Sequence, residues 1–132
     1  MVGIVIVSHS QKLAEGVVEI ATMMAADAPI AAAGGLEEGG FGTSFERIVE
    51  AVQDVDQGAG VAILMDMGSA VMTAEMVCEA LDDTKIRLLD APLVEGAVLA
   101  AVLFLPIPVH CDQQTVVLHK NSRSEILHCD YW

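Results

Sequence analysis

Ser8-His9-Ser10 directly follows the apolar run Val2-Gly3-Ile4-Val5-Ile6-Val7 and directly precedes a helical pattern from Leu13 to Met24. Polar groups at such a junction belong at the carboxyl edge of a parallel strand, where open α/β sheets place ligands and reacting groups. The helix beyond offers unpaired backbone N–H groups and the positive end of its dipole, an environment suited to phosphate. An imidazole there has the chemistry to accept a phosphoryl group. A histidine that merely fits a capping turn would occupy the same position.

A second polar junction, Asp66-Met67-Gly68-Ser69, follows the apolar run Val61-Ala62-Ile63-Leu64-Met65. Asp66 has no use as a phosphate ligand, because like charges repel. Its useful role is to accept a hydrogen bond from one nitrogen of His9, fixing the tautomer and leaving the other nitrogen as nucleophile. Alone, it is also an ordinary strand-end turn residue. Gly40-Phe41-Gly42-Thr43 and Asp90 complete the polar groups expected along the same edge. Three of these loops open helices, so three sets of free N–H groups are expected to converge near His9 and suit a doubly charged tetrahedral anion. Thr43 and Ser69 are the candidates for direct phosphate contact, with Gly68 beside them and Ser8 and Ser10 as secondary candidates. The glycines equally serve to turn the backbone, and Thr43 to cap a helix. Lys12 is the only base expected near this edge, so no cationic clamp is anticipated.

The elements that must hold these groups alternate between strand and helix. Residues 2–7 read as a buried strand. The first helix has Leu13, Val17, Ile20 and Met24 on one face, with Ser8 and Gln11 as a possible capping box. Residues 29–33 form a short Ala-rich strand, followed by a loop with five glycines between Gly34 and Gly42. Thr43-Ser44-Phe45-Glu46 reads as a capping box opening a helix whose apolar face is Phe45, Ile48, Val52 and Val55. A strand at 61–65 precedes a helix carrying Val71, Ala74, Cys78 and Leu81, with Cys78 as a core residue. A strand at 86–89 leads through Pro92, well placed near a first helical turn, into a fourth helix. Repeated βαβ units imply an α/β fold: a doubly wound, mostly parallel four-stranded sheet with right-handed crossovers and helices on both faces. Residues 1–103 form that unit. Residues 104–132 diverge from it: Thr115 to Leu118 could be a strand, and Asn121 to Trp132 reads as a polar tail.

Composition narrows the partners. The chain has 132 residues, enough for one ordinary domain, and is 54% hydrophobic with only 4% aromatic residues. Ala, Val, Ile, Leu and Met must therefore form the core, as in helices packed on a parallel sheet. A formal net charge of −13 argues against nucleic acid and anionic membranes, and for partners with basic patches. The first apolar run lacks the basic flank of a signal peptide, and Glu95, Pro106 and Pro108 interrupt the longest apolar stretch. Three scattered cysteines fit a reduced, cytoplasmic protein without disulfides. No cofactor is called for. His110-Cys111, His119 and His128-Cys129 match no zinc spacing, so no metal is expected.

Four segments carry a resemblance: Val-Ser-His-Ser-x-Lys-Leu-Ala-Glu-Gly (7–16), Gly-Thr-Ser (42–44), Met-Asp-Met-Gly-Ser-Ala-Val-Met-Thr-Ala-Glu (65–75) and Asp-Ala-Pro-Leu-Val-Glu-Gly-Ala (90–97). Together they resemble the DhaM-type phosphotransferase subunits of phosphoenolpyruvate-dependent dihydroxyacetone kinases, which are themselves similar to mannose-family IIA domains. The likeness runs in order over residues 1–103. It implies a transient phosphohistidine at His9, phosphate arriving from the carrier HPr, and delivery to ADP on the nucleotide-binding subunit of a kinase that also has a dihydroxyacetone-binding subunit. It also implies a homodimer. Other readings are a sugar-specific mannose-family IIA protein that donates to a permease IIB domain, a receiver with Asp66 as acceptor, and a non-catalytic interaction module. The receiver lacks its acidic pair after the first strand, and the module lacks an exposed aromatic platform.

Overall fold

Every residue of the first strand, β1 (Gly3–Ser8), is buried, as a continuous apolar run requires of a strand covered on both faces. In the computed structural model, which describes residues 1–103, 117–121 and 124–128, β1 leads into α1 (Gln11–Met24), β2 (Ile30–Gly34), α2 (Phe45–Val55), β3 (Val61–Met65), α3 (Ser69–Ala80), β4 (Ile86–Leu89) and α4 (Leu93–Leu103). Strands β5 (Val117–Asn121) and β6 (Ser124–His128) follow. The sheet order is β2-β1-β3-β4-β6-β5. The first four strands are mutually parallel, which is the expected doubly wound arrangement.

The sheet is larger than the four strands read from the sequence. β6 adds in parallel to β4, pairing Leu88 with Ile126, and β5 adds antiparallel to β6. Strand β6 lies inside the stretch read as a polar tail. Its ladder comes from backbone pairing along the open side of β4, which leaves little trace in a hydropathy pattern.

Side chains of β1 alternate between two cores. Val5 and Val7 pack with Ile48, Val52 and Val55 of α2 and with Ala70, Ala74 and Val77 of α3. Ile4 and Ile6 pack on the opposite face with Ala14, Val17 and Ala21 of α1 and with Ala97, Ala100 and Ala101 of α4. Each buried Ile or Val contributes roughly 1.5–3 kcal/mol of transfer free energy, so two cores fix the strand that carries His9.

Helix α1 corrects the face expected of it. Its buried residues are Ala14, Val17 and Ala21, whereas Leu13, Ile20 and Met24 are 44%, 43% and 63% exposed. The reason is clearance. A Cβ at Gly34 would lie 2.6 Å from the Ser10 carbonyl oxygen and 2.8 Å from the Ala14 Cβ, so β2 ends hard against the start of α1. Only small side chains fit beneath a helix seated that close.

The caps are also shifted from the expected ones. Ser10, not Ser8, caps α1, its Oγ accepting from the Leu13 N–H at 3.2 Å. Ser44, not Thr43, caps α2, accepting from the Arg47 N–H at 3.3 Å. In both cases the second hydroxyl residue of the pair is the one that stands, with extended backbone, directly before the first helical residue, where an N-cap must sit.

Candidate functional site

The sheet order reverses direction at β1: α1 leaves β1 on one face, and α3 leaves β3 on the other. Strand ends that diverge in this way open a crevice at the carboxyl edge. Ser8-His9-Ser10 and Asp66-Met67-Gly68-Ser69 flank it. The ladder carries past the strands, with the Asp66 N–H donating to the Val7 carbonyl at 3.1 Å, so the two junctions are held in register.

The Asp66 carboxylate is the hub. Its Oδ1 accepts from the His9 ring at Nδ1 (3.0 Å) and from the Met67 N–H (2.7 Å), while its Oδ2 accepts from the Ser8 hydroxyl and the His9 N–H (2.9 Å each). Burial works against the charge, but hydrogen bonds from the His9 N–H, the His9 ring, the Ser8 hydroxyl and the Met67 N–H outweigh it and hold Asp66 below its ordinary value. An ionised carboxylate only accepts, so Nδ1 is assigned the ring proton. The neutral ring then has its lone pair at Nε2, which accepts from the Ser69 hydroxyl at 2.7 Å. His9 retains 24% of its side-chain exposure, against 14% for Asp66.

The surrounding residues take unequal parts. Ser8 is fully buried: its Oγ accepts from the Ser10 N–H while donating to Asp66, so it braces the carboxylate rather than facing a ligand. Ser10 is occupied as the cap of α1. Gly42 donates its N–H to the His9 carbonyl at 2.9 Å, which brings the glycine-rich loop against the histidine. The Thr43 hydroxyl sits 3.0 Å from that of Thr73, which in turn donates to the Ser69 carbonyl at 2.9 Å. Arg47, half-buried, donates to the Gly34 carbonyl at 3.0 Å. Lys12 is exposed on α1, and Asp90 is exposed beyond the end of β4.

Of the three helix starts expected to converge, two are closed by their own serines. The third is open. Gly68 stands at the N-cap of α3 with φ 46° and ψ −111°, and no side chain caps that helix. A positive φ suits glycine alone here, and it sets Ser69 one place further on, where its hydroxyl reaches the imidazole instead of the backbone. The sequence reading missed Thr73. Its spacing of four from Ser69, one helical turn along the same face, is the signal that could have found it.

Among the described residues no cluster of His, Cys, Asp and Glu is arranged to hold a metal. His110, Cys111, His119, His128 and Cys129 lie outside the side chains described. Cys78 packs half-buried against the α2–α3 core, and burial pushes its thiol up from the ordinary value. No described helix is long and apolar enough to cross a membrane.

Comparison with known proteins identifies the family. Residues 3–105 match the EIIA-man family, described as the PTS system fructose IIA component. The chain is 42% identical over 109 residues to the phosphoryl donor subunit DhaM of the phosphoenolpyruvate-dependent dihydroxyacetone kinase of Escherichia coli, covering 77% of this chain but 23% of that protein. It is 38% identical to the phosphotransferase subunit DhaM of Lactococcus lactis, covering 76% of this chain and 80% of the other. A DhaM subunit of Listeria innocua is 40% identical over 82% of this chain and 90% of its own length. The chain thus spans about a quarter of the first relative and most of the other two. A crystal structure described only as that of a protein of unknown function superposes with a TM-score of 0.68 at 29% identity, covering 78% of this chain and 85% of that one.

Proposed function

The chain belongs to the EIIA-man family, in its DhaM-type branch, and on that footing we propose that it carries phosphate on Nε2 of His9. Phosphate arrives from phospho-HPr and leaves for ADP on the nucleotide-binding subunit of a dihydroxyacetone kinase. The activity belongs to that assembly, in which this chain is the phosphoryl donor. A cytoplasmic setting follows from such partners.

One observation carries the reading: Asp66 takes Nδ1, and this leaves Nε2 at the accessible edge beside Ser69. In the forward step the Nε2 lone pair attacks phosphorus in line. The new P–N bond forms as the donor's P–N bond breaks, and the donor imidazole leaves with its electron pair. His9 keeps its Nδ1 proton throughout, so the phosphorylated ring is cationic and the Asp66 carboxylate offsets that charge. In the onward step an oxygen of the ADP β-phosphate attacks, and the electron pair returns to Nε2. The equatorial oxygens are stabilised by the Ser69 hydroxyl and by the N–H groups of Gly68 and Ser69 at the open start of α3. Thr43 stands ready beside them, and Ser10 serves as a cap.

Labelled phosphoenolpyruvate with enzyme I and HPr tests this directly. Wild type should take up acid-labile label and His9→Ala none; label retained by that variant would rule the site out. Delivery to the kinase subunit supports the assignment, whereas delivery only to a permease IIB domain would move the chain to the sugar-specific branch.

The same reading takes the chain as a homodimer. Leu13, Ile20 and Met24 form an exposed apolar stripe along α1 that a second copy would cover. Sedimentation equilibrium at twice the chain mass is the expected result.

A further inference from the structure

The Thr73 hydroxyl has one proton, and it is spent on the Ser69 carbonyl at 2.9 Å. The contact between the Thr43 and Thr73 hydroxyls, 3.0 Å long, must therefore be donated by Thr43. Thr43 consequently points its proton at α3 and offers only lone pairs elsewhere. A phosphoryl oxygen needs the opposite: it accepts, and it can use Thr43 only after the bond to Thr73 is given up.

We propose that Thr73 is a positioning residue that holds the Thr43 hydroxyl in reserve and so sets how tightly the phosphoryl group is kept on His9. This rests on His9 being the phosphorylated residue. The relay runs from the glycine-rich loop through Thr43 and Thr73 to the Ser69 carbonyl, and the Ser69 side chain touches the reacting nitrogen at 2.7 Å. When Nε2 bears phosphate, the Thr43 hydroxyl must choose between a phosphoryl oxygen and Thr73. The bond it surrenders offsets the bond it gains, so the phosphorylated state is not over-stabilised and the group stays transferable. Thr73 itself makes no contact with the reacting atoms.

Thr73→Val keeps the shape of the side chain and removes the acceptor, which frees the Thr43 proton for phosphate. Thr73→Ser restores the hydroxyl. His9 is phosphorylated chemically with phosphoramidate in each protein, so that no partner is required, and the phosphoryl group is titrated by phosphorus NMR. A new donor to the dianion lowers the titration midpoint in Thr73→Val, leaves Thr73→Ser at the wild-type value, and has no effect once Thr43→Val is also present. A second measurement mixes wild type and variant with catalytic phospho-HPr and reads how label divides between them. Thr73→Val should hold roughly two- to tenfold more label than wild type, the weight of one net hydrogen bond. An unchanged midpoint, a change that Thr73→Ser fails to reverse, or a change that persists in the double variant overturns the inference. Wild type that accepts phosphoramidate but not phospho-HPr would refute the donor assigned above and leave the titration to decide this point alone.

Discussion

Of the four described helices that begin at the carboxyl edge of the sheet, three have a serine near the start, and they use that serine in two ways. Ser10 and Ser44 are N-caps whose hydroxyls accept from their own backbones. Ser69 sits one place inside α3, behind a glycine with φ 46°, and its hydroxyl goes to the imidazole of His9 instead. A capped helix start is a finished local structure, with its free N–H groups partly satisfied. The start of α3 is unfinished, and its unmet donors are available to something from outside. On the proposed function, a shift of one residue separates a stability device from a binding device.

The contrast can be broken at several points. The largest effect is expected from Asp66→Asn, because an amide no longer fixes the tautomer of the ring. Transfer of label should fall by roughly 10³–10⁴-fold, the scale on which an orienting carboxylate matters in triad enzymes; a loss under tenfold would show that Asp66 does not orient the ring. The same variant has a stability signature in pH. A carboxyl held below its ordinary value when folded adds stability above its unfolded value, about 4, and loses it as pH falls through the folded one. The gap in denaturation free energy between wild type and Asp66→Asn should be full at pH 6 and narrow progressively below about pH 4. A gap that stays constant down to pH 3 would contradict the depressed carboxyl.

Next in size is Gly68→Ala, which forces a side chain into a backbone conformation costing roughly 1–3 kcal/mol and displaces Ser69 with it. Both thermal stability and label transfer should drop together. Ser69→Ala separates the two: transfer is expected to fall roughly two- to tenfold, with little change in melting temperature. The capping serines should behave in the reverse sense. Ser10→Ala and Ser44→Ala each remove about 1 kcal/mol, seen as a melting point roughly 3–5 °C lower, while label transfer per folded molecule stays near wild type. Equal effects on stability and transfer at all three serines would erase the distinction.

Much of this edge was readable from residue types. A run with no polar residue between Gly3 and Val7 had to be a covered strand, and His9 after it and Asp66 after β3 had to meet once those strands were neighbours. The face of α2 was equally plain, since Ile48, Val52 and Val55 recur at helical spacing and all are buried. What stayed hidden depends on distances between elements. The pattern of α1 favours its largest side chains, but the close seat against Gly34 selects Ala14 at the start of the helix. Which hydroxyl residue of a pair becomes the cap depends on where the chain leaves the extended conformation, and that is set by the segment before the helix. Strand β6 owes its existence to the open side of β4, a feature no local window contains.

The imidazole of His9 has one nitrogen committed inward to Asp66 and one turned outward. On the proposed function, a single outward atom works as a turnstile: the protein that delivers phosphate must depart before the one that collects it can approach. Steady-state kinetics of the assembled pathway should therefore follow a ping-pong pattern, with parallel double-reciprocal lines. Dephosphorylated donor in excess should slow the collector by occupying the same place. On the same reading, the protein that delivers phosphate and the protein that collects it would have to present matching shapes to one small patch of this chain.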